Sequence, residues 1–304
     1  MSTPRQSVIH DIGYRTFTGR RQSTGAIALS LYLTSLRHCF GLGRSNKSKV
    51  MPFLVAALML IPALVLAGLA IQLKRMSLGD QANYFAPLSN YFGYPYWTQL
   101  LITVFAASQA PVLFARDLRY RTIVLYFARP LDRSTYVLVR LAALTTALFA
   151  VIAVPMVIWY AAALSSGLDR SQHTKNFFAA IVGVLVLSLI LATFSGMVSA
   201  ITTRSGLAVV AVIVALMLTS GIVTIAQGAV YETGNKSAAM IASMFNPFTL
   251  VAELISGLFD QPTPTPAIPH PSTGWTLVFI IVALIWVIGT SWVLVERIRK
   301  AASL

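Results

Sequence analysis

Six arginines and two aspartates fall between Arg116 and Arg140, in a chain of 304 residues that is 57% hydrophobic and 11% charged. Guanidinium groups pair with carboxylates through oriented, charge-assisted hydrogen bonds. The chemistry open to this block is therefore ion pairing and docking rather than bond making. Within it lie Ile123, Val124, Leu125, Tyr126 and Phe127, five consecutive apolar or aromatic residues. Such a run needs a membrane surface or a protein partner to cover it. Arg129-Pro130 ends a helix built on that run and turns the chain, and Arg133, Tyr136 and Arg140 follow. The expected device is a short docking helix. Its apolar side chains fill a cleft on a partner while flanking arginines pair with the partner's carboxylates.

Other reactive constellations fail on spacing. Gly41-Leu-Gly-Arg-Ser-Asn46-Lys47-Ser48 approaches a phosphate-binding loop, but Asn46 replaces the glycine whose backbone must approach phosphate, and no strand precedes it. His10, His38, His173 and His270 are scattered without ligand spacing, so no metal site is expected. No Gly-x-Ser-x-Gly elbow and no His-Glu-x-x-His occur, so no catalytic residue is expected. The single cysteine, Cys39, excludes an intrachain disulfide framework and points to a packed, silent thiol. Asn235-Lys236-Ser237 fits a glycosylation acceptor, though so short a match is easily accidental.

The elements that must carry the basic block are apolar. Mean hydropathy is +0.74, too high for a soluble domain. Spanning-length uncharged stretches recur within 50–73, 81–115, 141–168, 176–203, 205–231 and 261–295. At about 20 residues per span, six helices result, and strand-like alternation is absent. With both termini inside, the inner segments hold 18 Lys/Arg and four Asp/Glu. The outer ones hold Lys74, Arg75, Arg170, Lys175 and Lys236 against Asp80, Asp169, Glu232, Glu253 and Asp260. The whole net charge of +14 thus lies on one side, which fits the positive-inside rule rather than nucleic-acid binding. The first 26 residues are polar and basic, with no secretory signal visible.

The sequence divides into a cytoplasmic arm with an amphipathic helix over 1–50 and a six-span transmembrane domain over 51–304. That domain includes an inner loop at 116–136 and an outer loop at 230–273. Ser23 or Thr24 is the expected N-cap of the first helix, and Leu29, Leu33, Leu36 and Phe40 share one face. Such a helix suits the membrane interface or a neighbouring protein surface. Pro155 is expected to bend the third span. Ser188, Ala192, Gly196 and Ala200 form a small-residue ridge that admits a close helix neighbour, from this chain or from a second copy. Seven of the fourteen residues from Tyr84 to Trp97 are aromatic, which reads as an interfacial belt or as an aromatic lining for cargo. Between spans five and six, Asn246-Pro247-Phe248 opens an apolar stretch broken by Glu253. Prolines at 262, 264, 266, 269 and 271 then impose extended chain. This suits a short re-entrant or outer helix. The spans hold essentially no ionisable residue, which argues against ion coupling.

The basic block resembles the first cytoplasmic loop of ABC-2-type ABC-transporter permeases. Arg116-Asp117, Thr122, Ala128-Arg129-Pro130-Leu131-Asp132-Arg133, Tyr136 and Arg140 follow that family's order, with Arg121 standing where glycine is frequent. The resemblance implies an all-α integral membrane permease subunit with six spans, an interfacial N-terminal helix and short outer helices between spans five and six. It implies ATPase docking through Arg116, Asp117, Arg119, Thr122, Ile123, Leu125, Tyr126, Phe127, Arg129, Pro130, Arg133 and Tyr136. It further implies two copies of a cytosolic nucleotide-binding ATPase that carry ATP and magnesium, and a second permease copy or a related permease. The setting it implies is a plasma (bacterial inner) membrane, and the usual direction is export. An ion-coupled carrier and a non-transporting membrane scaffold are the competing readings.

Overall fold

The computed structural model describes residues 22–76, 88, 90–120, 122, 126, 131–167, 169–233, 235–264 and 270–302. Among these residues the regular structure is entirely helical. In chain order the helices are α1 (Thr24–Cys39), α2 (Asn46–Arg75), α3 (Gly93–Trp97), α4 (Gln99–Leu113), α5 (Ala115–Arg119) and α6 (Arg133–Ser165). They continue with α7 (Arg170–Thr202), α8 (Ser205–Thr233), α9 (Lys236–Ser243), α10 (Pro247–Phe259) and α11 (Thr273–Ala302). Six are long and apolar enough to cross a membrane: α2, α4 with α5, α6, α7, α8 and α11. This is the architecture of a multi-pass membrane protein.

The helix α7 is the hub, packing against α4, α5, α6, α8, α10 and α11. Its small-residue ridge explains how. A Cβ on Gly196 would meet Phe114, Leu141 and Leu294 at 3.1–3.4 Å, and Ser188, Ala192 and Ala200 are fully buried. The ridge therefore serves neighbours within this chain. By contrast α2, α8 and α11 turn apolar side chains outward, among them Leu64, Val65, Leu218, Ile225, Ile285 and Ile288. Apolar side chains displayed this way match a lipid surround.

Ser23 caps α1, its Oγ accepting from the Ala26 N–H at 3.3 Å. The helix rests on α6 through a face that includes only half of the expected stripe. Ser35 and Cys39 are buried, with Ile27, Ala28, Leu31, Leu36 and Phe40 packed on the core, while Leu29 and Leu33 are exposed. The periodicity is right, but two overlapping faces are apolar and only tertiary packing selects between them. The helix α6 runs continuously through Pro155. The chain from α7 to α8 turns in two residues, with Thr203 left-handed at φ 54°.

The helices α9 and α10 form a bent pair whose axes differ by 119°. The Arg297 Nε donates to the Ala200 carbonyl at 3.5 Å, which ties the end of α11 to the end of α7 and the start of α8. The chain therefore leaves α8 and enters α11 at the opposite end, and the bent pair begins and ends on that one side. Asn246 caps α10 through Oδ1 to the Phe248 N–H at 3.0 Å, with Pro247 in the first turn, where its missing N–H is no loss.

The aromatic segment before α4 is neither belt nor open lining where described. Tyr91, Phe92 and Tyr94 are buried. Tyr91 packs on Trp159 with ring centroids 4.1 Å apart, and its hydroxyl shares a 3.0 Å hydrogen bond with His173 Nδ1. Tyr94 donates to the Met59 carbonyl. The helix α3 turns these rings inward between α6 and α7, and of this group only Trp97 is well exposed. Tyr84 and Phe85 lie outside the described residues.

Candidate functional site

The basic block joins the end of α4 and α5 to the start of α6. Asp117 sits in α5 and receives three donors. The Tyr136 hydroxyl reaches Oδ2 at 2.6 Å, Arg140 Nη2 reaches the same oxygen at 2.5 Å, and Thr122 Oγ1 donates to Oδ1 at 3.2 Å. A backbone bond from the Thr122 N–H to the Asp117 carbonyl at 3.1 Å closes the turn. One aspartate thus binds three chain segments.

Arg140 is the other pole. It stands two turns into α6 and is only 4% exposed. Its Nη1 donates to the Leu113 carbonyl, one of the acceptors that the end of α4 leaves open. Its Nη2 also donates to the Tyr126 hydroxyl at 3.2 Å. The guanidinium carbon lies 4.8 Å from the Tyr136 ring centre and 5.3 Å from that of Tyr126, both within cation–π range. The two rings are 5.2 Å apart. Arg140 is thereby held between two tyrosines, a carboxylate and a helix end, and Nε alone lacks a described partner.

The surroundings are basic. Burial, then Arg140, Arg44 and Arg116 in turn, hold the His38 imidazole below its ordinary range, against a smaller opposite pull from Asp117. Arg44 is lowered by burial and then by Arg116. Burial pushes the Cys39 thiol up to about 12, so it is no nucleophile at neutral pH. A cavity of about 140 Å³ between α1 and the loop is lined by Ile27, Leu31, Thr34, Tyr126 and Leu131, among others. A more open one of about 530 Å³ brings Arg299 of α11 beside Leu131, Asp132, Arg133 and Ser134.

No family model matches this chain, and no curated protein matches it. The site is therefore read from its own geometry.

That geometry sorts the expected docking residues into two groups. Asp117, Thr122, Tyr126 and Tyr136 are brought together and point inward, Tyr136 being fully buried. In the chain alone these four fasten the loop to the spans. Arg116, Arg119 and Arg133 are exposed, with Arg119 lying 5.6 Å from the Tyr120 ring centre. Ile123, Leu125, Phe127, Arg129 and Pro130 lie outside the described residues, so the expected docking helix does too. Sequence reasoning placed Arg140 in the motif but not among the functional residues. Its signal was available: a lone charge inside an apolar helix needs a partner nearby. Among the described residues no cluster of three His, Cys, Asp or Glu side chains is gathered that could hold a metal.

Proposed function

We propose that this chain is the transmembrane permease subunit of an ABC-type transporter, an exporter, with a separate ATPase docked on the 116–136 loop. The observation that carries the reading is the junction of the Arg116-to-Arg140 motif with the Asp117–Arg140 clamp. A loop that receives a push must be rigidly joined to what it moves. Here one ion pair ties the loop to the end of α4, to α5 and to α6. Displacing the loop therefore displaces two spans together. The exposed Arg116, Arg119 and Arg133, with Ile123, Leu125, Phe127, Arg129 and Pro130, form the docking surface, and the inward tyrosines transmit.

In this reading both termini are cytoplasmic, in a plasma (bacterial inner) membrane. The helix α1 lies in the interface with Leu29 and Leu33 toward lipid. A second copy of this permease, or a related one, completes the pathway. Two nucleotide-binding subunits hold the ATP and magnesium.

Gentle purification of the chain from its native membrane tests the assembly. A stoichiometric P-loop ATPase in the eluate is the expected result, and its absence from folded preparations removes the reading. Replacing Tyr126 and Phe127 with alanine is expected to uncouple ATP use from transport while the protein stays in the membrane. Unchanged coupling in that double variant rules out the docking role.

A further inference from the structure

The α9–α10 hairpin holds a carboxyl group that nothing pairs. Glu253, in the middle of α10, is fully buried, and neither of its oxygens has a hydrogen-bond partner among the described residues. Among the described residues nine buried side-chain nitrogen and oxygen atoms lack a partner, and four of them belong to Asn246, Glu253 and Ser256 of this one element. The buried polar groups of α8 are paired. Ser220 and Gln227 are buried on the inner face of α8, two turns apart. Ser220 donates to Gln99 at 3.0 Å, Thr224 donates to the Ser220 carbonyl at 2.9 Å, and Gln227 donates to Ser243 of α9 at 2.9 Å. Glu253 is the one ionisable group among the unpaired atoms of this element.

The groups around it supply no counter-charge. From α3 the phenol of Tyr96 lies in its field. The helix α11 carries no charged residue from Thr273 to Val295. In the first turns of α7 stand Arg170, His173 and Lys175, with His173 engaged by Tyr91. On α9 Lys236 is exposed. Asp260, which caps α10, is exposed and pairs with His270 at 3.0 Å. Among the described residues no charged side chain acts on Glu253, only its burial. An isolated carboxylate without cation or donors is far too costly in such a place, so this packing accommodates the acid form.

The hairpin is also tightly seated. A Cβ on Gly183 of α7 would lie 2.7 Å from Ile255 and from Phe92, and one on Gly257 would lie 2.1 Å from Thr276 Oγ1 of α11. Both helices are in near-backbone contact with α10.

We propose that Glu253 is a proton-binding site: it holds a proton while the α9–α10 hairpin is seated and releases it to water when the hairpin opens. Opening at this end of the protein is therefore linked to pH on that side of the membrane. The carboxyl has its ordinary acidity once in water, so raising the pH favours the open form, by about tenfold in the opening constant per pH unit while the seated form stays protonated. The inference stands apart from ATPase docking, and either survives the failure of the other.

Infrared spectroscopy and amide hydrogen exchange on the full chain in lipid nanodiscs test it. The wild-type-minus-Glu253→Gln difference spectrum should hold the carbonyl stretch of a protonated carboxyl at neutral pH. Exchange across Pro247–Phe259, corrected for intrinsic base catalysis, should accelerate with pH in wild type and stay flat in Glu253→Gln. A missing carbonyl band, or the same pH slope in the glutamine variant, overturns the proposal. Should that variant fail to assemble, wild type alone decides: carbonyl band and exchange must titrate together, and separate titrations reject the linkage.

Discussion

The two ends of this protein each bury a carboxylic acid, and they treat it in opposite ways. Asp117 is met by a guanidinium, a phenol and a hydroxyl. Glu253 is met by none. A buried charge with its full complement of partners fixes geometry, because moving any partner strands the rest. A buried acid without partners fixes nothing and responds to whatever brings water or a proton. The basic end is built to hold and the opposite end to release.

Breaking the holding end is expected to give the largest effect. Arg140→Ala strands the Asp117 carboxylate, and the loss should be about 3–5 kcal/mol, read as a collapse of thermal unfolding temperature in detergent. The double replacement Asp117→Leu with Arg140→Met should recover most of it, since two apolar groups leave no orphaned charge. If the double variant is as unstable as the single one, the pair is not the reason. Tyr136→Phe removes one of three donors and should cost about 1.5–3 kcal/mol, with Arg140 still in place.

The packing that seats the hairpin gives a second contrast. Gly183→Ala forces a methyl against Ile255 and Phe92 and should destabilise by about 1–3 kcal/mol. Gly221→Ala on α8 meets no atom within 4 Å and should be neutral or stabilise by up to about 1 kcal/mol. Equal melting shifts for the two would dissolve the argument for a tight seat.

A milder test uses pH. His38 is held below its ordinary value of 6.5 by burial and by neighbouring arginines. The folded protein thus resists protonating it, and its contribution to stability is lost as pH falls below that value. Unfolding temperature should decline on acidification there, and His38→Gln should flatten the decline. The smallest effect belongs to the releasing end. Glu253→Gln copies the neutral acid and should leave melting at neutral pH unchanged, whereas Asp117→Asn should lower it clearly.

The spans were legible because a helix in lipid must satisfy its own backbone and show apolar side chains, and both demands act locally. The Ser23 cap and the short helix after Asn246 were legible for the same reason. The pairing partners were not. Nothing local says that Arg140 reaches back to Leu113 and Asp117, since the contact depends on how α4 and α6 cross. Nor does the aromatic run at 91–97 declare whether its rings face lipid or α7, because the hydropathy is the same either way. Glu253 read as an interruption of an apolar stripe, and only its packing places the interruption inside.

The two-residue turn between α7 and α8 carries a consequence for biogenesis. Two residues reach at most about 7 Å, too little for α8 to wait outside the bilayer once α7 is fully across. These helices therefore enter the membrane as one unit, and α7, on which six other helices pack, cannot finish assembling until its successor has been synthesised.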